Sequence, residues 1–419
     1  MRQSLLFSKT LRSAPEGEET KNAKLLIRGG FISKSSAGVY TLLPLGLRVL
    51  EHINRVIREE MNAIGSEELI MPALIDKKYW EKSGRWETDV IYRTGRSKSS
   101  KEGSGAQTLE YGLGWTHEEV ITSIAQQFIQ SYKDLPKAVY QIQNKFRAEV
   151  RAQGGLLRGR EFLMKDLYSF HADVEDLNHY YEVVKQAYIK IFERLSLPVL
   201  VVEASGGAFT KEYTHEFQVV NPAGEDTIHY CMRCGFAQNR EIFDAEQHRN
   251  CSGKLEEARA IEVGNIFKLG TRFSESFELL YTNAVGKRMS VVMGSYGIGP
   301  TRILGTLVEV FSDERGILWP EAVAPYRVHL IEITSQKDNH ASKANVFYAT
   351  LQKQHISVLY DDRTNVSPGE KFADADLLGI PYRAVMSEKT GEKIEIKKRS
   401  ERETKLMSEK ELIQLVTST

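Results

Sequence analysis

Arg147 and Glu149 stand two apart after Phe146; Thr116, His117 and Glu118 form a second polar block; and Arg302 closes the glycine-rich run Tyr296-Gly297-Ile298-Gly299-Pro300-Thr301-Arg302. A guanidinium is a planar fork that can hold a phosphate oxygen and a carboxylate in one geometry. Chemistry in which a phosphoryl group gains negative charge needs fixed cations of this kind. Glycines ahead of Arg302 let the backbone approach a ligand closely, and an arginine opening the next helix adds its charge to the field of the helix N-terminus. No block is specific alone. Residues two apart on a strand share a face, so Arg147 and Glu149 also read as a surface ion pair, and the glycine run is not a dinucleotide fingerprint.

These residues need elements to position them. Leu47 to Ile64 places Leu50, Ile53, Ile57, Met61 and Ile64 at helical spacing, widened by Val49 and Val56, and a strand-like Glu68 to Met71 follows, ending at Pro72. Arg93 to Gln107 reads as an exposed polar loop. Thr116 is the expected cap of the next helix, with Glu119 completing a capping box. Two extended segments around Gly154 and Gly155 would bring several arginines over one pocket, and a second amphipathic helix spans Val174 to Leu195. An apolar strand from Met289 to Met293 leads into the glycine run, read as a hairpin.

Near Trp319 to Tyr326 two prolines flank a short linker, beyond which strands (Arg327 to Ile333, Ile356 to Tyr360, Tyr382 to Met386, Lys393 to Lys397) alternate with helices (Ser342 to Gln354, Glu370 to Leu378). That is the pattern of a small α/β domain. Its last helix carries Ser408 as N-cap, Glu411 as the reciprocating residue, and Met407 opposite Leu412 as a staple.

A chain of 419 residues suggests two domains of unequal size. With 56 basic and 56 acidic residues, any nucleic-acid contact must come from local basic patches. Three cysteines do not make a secreted disulfide scaffold, and no apolar run is long enough for a membrane span. The segment Met1 to Arg12 lacks a long apolar targeting core. A cytoplasmic location is therefore expected, with the mitochondrial matrix the alternative. All three cysteines cluster: Cys231-x-x-Cys234 and His248-x-x-Cys251 have the ligand types of a structural zinc site. The reading leans toward no bound metal, with zinc as the alternative.

The ordered runs Gln143-Asn144-Lys145-Phe146-Arg147-Ala148-Glu149, Arg160-Glu161-Phe162-Leu163-Met164-Lys165-Asp166 with Tyr168 to His171, and Tyr296 to Arg302 resemble the prolyl-tRNA synthetase family of class II aminoacyl-tRNA synthetases. The resemblance runs from about residue 1 to the C-terminus, in a compact form without the editing insertion. The tail resembles the anticodon-binding domain of the same subgroup through Asp361-Asp362-Arg363, Pro368-Gly369, Lys371-Phe372, Asp374 and Leu378-Gly379-Ile380-Pro381. The implied fold is α+β: a class II antiparallel catalytic sheet with helices over 1–322, a connector near 231–260 in place of the editing insertion, and an α/β anticodon-binding domain over 326–419. The helix near 47–64 with its strand implies a homodimer.

The implied chemistry is ATP-dependent activation of L-proline and its transfer to tRNA(Pro). By resemblance Arg147 meets the α-phosphate with Glu149 on the nucleotide side, Arg302 meets the γ-phosphate, and Phe162 stacks on adenine, a core phenylalanine being its competitor. Arg158 and Arg151 are further phosphate contacts, and Mg2+ accompanies ATP with Glu262 assisting. Thr116, Glu118 and Glu216 are candidate partners for the amine of proline; Phe170, His171 and Ser295 would shape its pocket. This chain departs from the family at Arg151-Ala152-Gln153-Gly154-Gly155, where one arginine and a proline are missing, and at Ser295, where cysteine is common. The alternatives are a related synthetase for another amino acid, and a catalytically inactive synthetase-like RNA-binding or accessory protein; retention of Arg147, Glu149 and Arg302 argues against the latter.

Overall fold

The computed structural model describes residues 1–95, 110–207, 209–210, 212–333 and 342–417. Most of the polar stretch expected as a loop over 93–107 lies outside them. The chain forms two compact units: Ser36–Val39 with Asn54–Thr306, and Met1–Ser35 with Tyr40–Ile53 and Leu307–Thr419. This grouping differs from a division near residue 322, because the N-terminal segment is tied to the C-terminal strands: the Met1 ammonium donates to the Val358 carbonyl at 2.9 Å and Arg2 pairs with Asp362 at 3.1 Å.

The larger unit is built on a nine-stranded sheet. Its strands are β1 (Glu67–Glu68), β2 (Lys137–Phe146), β3 (Glu161–His171), β4 (Val199–Ala204), β5 (Thr214–Val220), β6 (Asp226–Tyr230), β7 (Ala237–Asn239), β8 (Glu256–Gly270) and β9 (Val292–Ile298). Their order is β5-β4-β7-β6-β8-β9-β3-β2-β1, with β5 also pairing β8. All pairings are antiparallel except β1 with β2 and β4 with β7. The long β2–β3 ladder runs from Lys137 opposite Phe170 to Phe146 opposite Glu161, which leaves Arg147 just past one strand end and Phe162 just inside the other.

Helix α1 (Pro44–Ala63) buries Val49, Leu50, Ile53, Val56, Ile57 and Met61, as its 3.6-residue spacing requires, while Ile64 falls beyond its end. The paired strand here is Glu67–Glu68, so only Glu68 of the expected 68–71 strand lies in it. Helix α2 (Glu118–Phe128) begins without the expected capping box: His117 is the cap residue and makes no side-chain cap, Thr116 donates instead to Glu118, and Glu119 is taken by Arg85. A buried guanidinium attracts a carboxylate more strongly than a backbone N–H does. Helix α3 (Val174–Arg194) is capped by Asp173 and buries Leu177, Tyr181, Val184 and Ile191.

The glycine run is also not a hairpin. Gly294 and Gly297 lie inside β9, and helix α4 (Pro300–Val310) starts directly after Gly299. At Gly294 a Cβ would stand 2.3 Å from the Tyr296 hydroxyl, which uses that space to bond Ser169 at 2.9 Å.

In the smaller unit, β10 (Val328–Ile333), β11 (Val358–Asp361), β12 (Tyr382–Ser387), β13 (Ile394–Lys398) and β14 (Thr404–Met407) form a sheet of order β11-β10-β12-β13-β14. The first three strands are parallel and the last two antiparallel. Helices α5 (Lys343–Lys353), α6 (Pro368–Leu378) and α7 (Glu409–Thr417) complete it. Ser408 and Glu411 form the expected reciprocal cap of α7, and Leu412 is buried. The strand Thr404–Met407 had no sequence expectation; its burial pattern is almost wholly exposed, so it carries no apolar alternation.

Candidate active site

A cavity of about 270 Å³ opens on the sheet of the larger unit, lined by residues from β3, β8, β9, the Gly154–Arg158 loop and the start of α2. Strand alternation decides who faces it: Phe162, Met164 and Asp166 of β3 line it, whereas Leu163 and Lys165 point to the opposite face. Thr116, Glu118, Arg147, Glu149, Arg158, Phe162, Glu262, Ser295 and Arg302 all line it.

One part of the wall is a hydrogen-bonded acidic patch. Glu118, 1% exposed, accepts from Thr116 Oγ1 at 2.5 Å and Arg85 at 2.9 Å through Oε2, and from Ser295 Oγ at 3.1 Å through Oε1. Arg85 also grips Glu119 at 2.6 Å, and its guanidinium lies over Trp115 at 4.7 Å. Burial opposes the Arg85 charge, but Glu119 and Glu118 more than offset it and raise its pKa. Beneath the patch, Asp166 pairs with the buried Lys145 at 2.8 Å and accepts from Tyr168 and Gln141. Burial works against its ionisation; Lys145 overrides that and holds the carboxyl below its ordinary range. His117, fully buried, is pushed down to about 4 by burial and by Lys145, and so is neutral at physiological pH.

The other part is cationic. Arg147 lies with its guanidinium 5.2 Å from the Phe162 ring centre, and its buried Nε has no hydrogen-bond partner. Burial and the nearby Arg302 charge depress its pKa. Arg302 is held by the Leu157 and Glu262 carbonyls, both at 2.8 Å, with the Glu262 carboxylate at 3.4 Å. Arg158 is bound by Glu149 at 2.6 Å and Glu225 at 2.7 Å, so Glu149 pairs across the loop and not with Arg147. Beside Glu262, Asn265 donates to both Glu262 and Glu216. Burial and the charge of Glu262 raise the Glu216 pKa to about 8.

Four expected residues are placed elsewhere. Phe170 is 2% exposed in the apolar core with Trp115 and Met293, because it lies further along β3, under α2. His171 falls on the opposite strand face and is occupied by Asp176 at 2.7 Å and Ser169 at 2.8 Å. Glu216 stands behind the wall, bonded to Gln218 and Asn239, and does not line the cavity. Arg151 is exposed in the loop and likewise does not line it. Conversely, sequence reasoning gave no role to Arg85, Lys145, Asp166 or Asn265. Lys145 and Asp166 lie within the ordered motif runs, but Arg85, between Gly84 and Trp86, carries no local signal.

Away from the cavity, the ligand atoms of Cys231, Cys234, His248 and Cys251 all lie within 4.8 Å of one another.

An antiparallel sheet carrying a cation pair, an aromatic face and an acidic pocket defines a class II synthetase core, and the profile of the tRNA synthetase class II core domain (G, H, P, S and T) matches residues 104–311, with the anticodon-binding domain profile matching 327–419. The chain is 33% identical to the proline--tRNA ligases of Bacillus cytotoxicus, over 96% of this chain and 97% of the relative, and of Bacillus cereus, over 98% of each. It belongs to the prolyl-tRNA synthetase family. Among solved structures it is similar to Giardia lamblia prolyl-tRNA synthetase in complex with prolyl-adenylate (TM-score 0.75, 20% identity, 93% of this chain and 74% of that one). It is similar also to the Cryptosporidium parvum enzyme complexed with halofuginone and AMPPNP (TM-score 0.77, 19% identity, 95% and 74%). These two likenesses concern the fold. The alignment with the Bacillus cytotoxicus relative spans 557 positions against 419 residues here, so more than a hundred of its positions face a gap in this chain.

Proposed function

We propose that the cavity binds L-proline and ATP together, forms prolyl-adenylate, and passes the prolyl group to tRNA(Pro). The observation that carries this reading is Arg147: a partly buried side chain with a buried, unpartnered Nε, between Phe162 and Arg302, in the same cavity as the Glu118 patch. A cation that costs burial energy without a fixed partner is suited to an anion that arrives with the substrate. The Glu118 patch supplies acceptors for the secondary ammonium of proline, and the small Ser295 and Thr116 side chains leave room for its ring.

In the first step a proline carboxylate oxygen attacks the α-phosphorus; the new O–P bond forms as the α–β bridging O–P bond breaks and pyrophosphate leaves. Arg147 aligns carboxylate and α-phosphate, while Arg302 faces the charge growing on the leaving group. In the second step a hydroxyl of the terminal tRNA ribose attacks the carbonyl carbon and AMP departs. Neither step uses a covalent enzyme intermediate. Mg2+ bound with ATP would neutralise phosphate charge, and the carboxylate of Glu262, which lines the cavity, fits such a hard cation.

The anticodon-binding unit supplies the distant tRNA contact. A second copy of this chain is the proposed partner of the segment after α1, where Ile70 stands 77% exposed; sedimentation analysis tests it. The cytoplasm is the proposed location, with the mitochondrial matrix the alternative, and free thiols suit either. The gap against the Bacillus relatives supports the absence of a cis editing site, so purified enzyme should not rapidly deacylate alanyl-tRNA(Pro). The deciding experiment is charging of tRNA(Pro) with ATP and single amino acids. Proline-selective charging is expected; charging with another amino acid, or none beside a working homologue, overturns the reading.

A further inference from the structure

We propose that Cys231, Cys234, His248 and Cys251 hold one structural Zn2+ that clamps the connector between β6 and β8. The site lies outside the catalytic cavity and goes beyond the proposed function.

Three observations converge. First, the geometry has tetrahedral dimensions. Tetrahedral zinc with Zn–S bonds of about 2.3 Å separates its sulfurs by roughly 3.8 Å; Cys231 Sγ and Cys251 Sγ stand 3.9 Å apart, and all four ligand atoms fall within 4.8 Å. A disulfide would need about 2.05 Å. Second, backbone N–H groups are directed at two of the sulfurs. Backbone N–H groups of Cys234 and Arg233 donate to Cys231 Sγ, and that of Gly253 donates to Cys251 Sγ at 3.3 Å. The turn after Cys231 closes through Gly235, whose N–H bonds the Cys231 carbonyl at 3.0 Å and whose φ of 75° suits glycine. At Gly253 a Cβ would stand 2.7 Å from Cys231 Sγ, so this position also leaves the sulfurs their space. Third, His248 is only 9% exposed and its Nε2 has no hydrogen-bond partner. An orphaned buried imidazole nitrogen beside three thiols points to an absent cation.

The connector also needs a clamp. Its own apolar cluster is small, built on Val202, Ile228, Ala237 and Ala260, and Met232 is 75% exposed. The metal would fix the β6–β7 turn to the 245–251 segment, and β7 carries Gln238 and Asn239, which bond Glu203 and Glu216. Zinc is favoured over harder divalent cations by three sulfurs and one nitrogen.

The test is metal analysis of the full chain purified under reducing conditions with zinc in the medium. About one zinc per chain is expected. Replacement by Co2+ should give thiolate charge-transfer bands and intense visible d–d bands of tetrahedral symmetry. Cys234→Ser, at the exposed ligand, should lower retained zinc at least about tenfold after mild chelation, and hydrogen exchange should rise selectively over 226–256. Less than about 0.1 zinc per chain with no Co2+ uptake, a Cys231–Cys251 disulfide in the folded protein, or undiminished zinc retention in Cys234→Ser would each overturn the four-ligand site. Wild-type stoichiometry decides even if the variant folds poorly.

Discussion

Arg147→Met separates a catalytic cation from a structural one. If Arg147 were a structural ion-pair residue, its loss would destabilise the protein. Its Nε has no partner, no ion pair within 4 Å is formed among the described residues, and burial together with Arg302 already disfavours its charge. Methionine keeps an apolar stem against Phe162 and removes the charge. Relieving a partly buried cation that has no ion-pair partner should stabilise the fold by about 1–2 kcal/mol, toward the lower part of the range seen when buried charged groups give way to apolar ones. For a unit of this size that raises Tm by roughly 2–8 °C. Losing a preorganised guanidinium at a developing phosphoryl charge should cost about 3–4 kcal/mol, or roughly 10²–10³ in kcat. Thermal unfolding without ligands and proline-dependent pyrophosphate exchange are measured on the same preparation. A fall in Tm alongside lost exchange would make Arg147 structural, and near-normal exchange would remove it from the mechanism.

Arg302→Ala should reduce pyrophosphate exchange by about 10²-fold or more while the protein stays folded by circular dichroism; unchanged exchange at saturating ATP and proline refutes a leaving-group role. Glu118→Gln keeps the shape of the patch but removes its charge, so KM for proline should rise by about tenfold or more with KM for ATP nearly constant; parallel rises in both would show general collapse of the site. Glu216 has its pKa raised from 4.5 to about 8 in the folded protein. Its stabilising contribution is complete below the unfolded value and is lost as pH rises through about 8. The Tm of Glu216→Gln should therefore gain on wild type as pH rises from 4.5 to about 8 and level off above it; a gap that stays constant with pH contradicts the assignment.

The local sequence foretold what depends on short-range periodicity. The amphipathic spacing of α1, the stop of α3 before Pro198, the alternation in the C-terminal unit and the Ser408–Glu411 cap were all readable. Competition for partners was not. Thr116 and Glu119 have the residue types of a capping box, yet Arg85, some thirty residues earlier, reaches both acidic side chains of the block, and its charge wins over backbone capping. The glycines of this run read as a turn, but pairing with β3 and β8 on both sides holds Gly294 and Gly297 in a strand.

Sequence by itself determined the family, through ordered motif runs too long to arise by chance, and with it the cationic, aromatic and acidic chemistry of the site. Only the tertiary structure decided which of the candidate residues meet. Strand parity turned His171 away from the cavity, distance along β3 put Phe170 into the core, and Asn239, Gln218 and Asn265 drew Glu216 behind the wall. It also gathered three thiols and an imidazole into one cluster. Those outcomes depend on long-range register and on which charged groups share a buried space, and neither is encoded in local spacing.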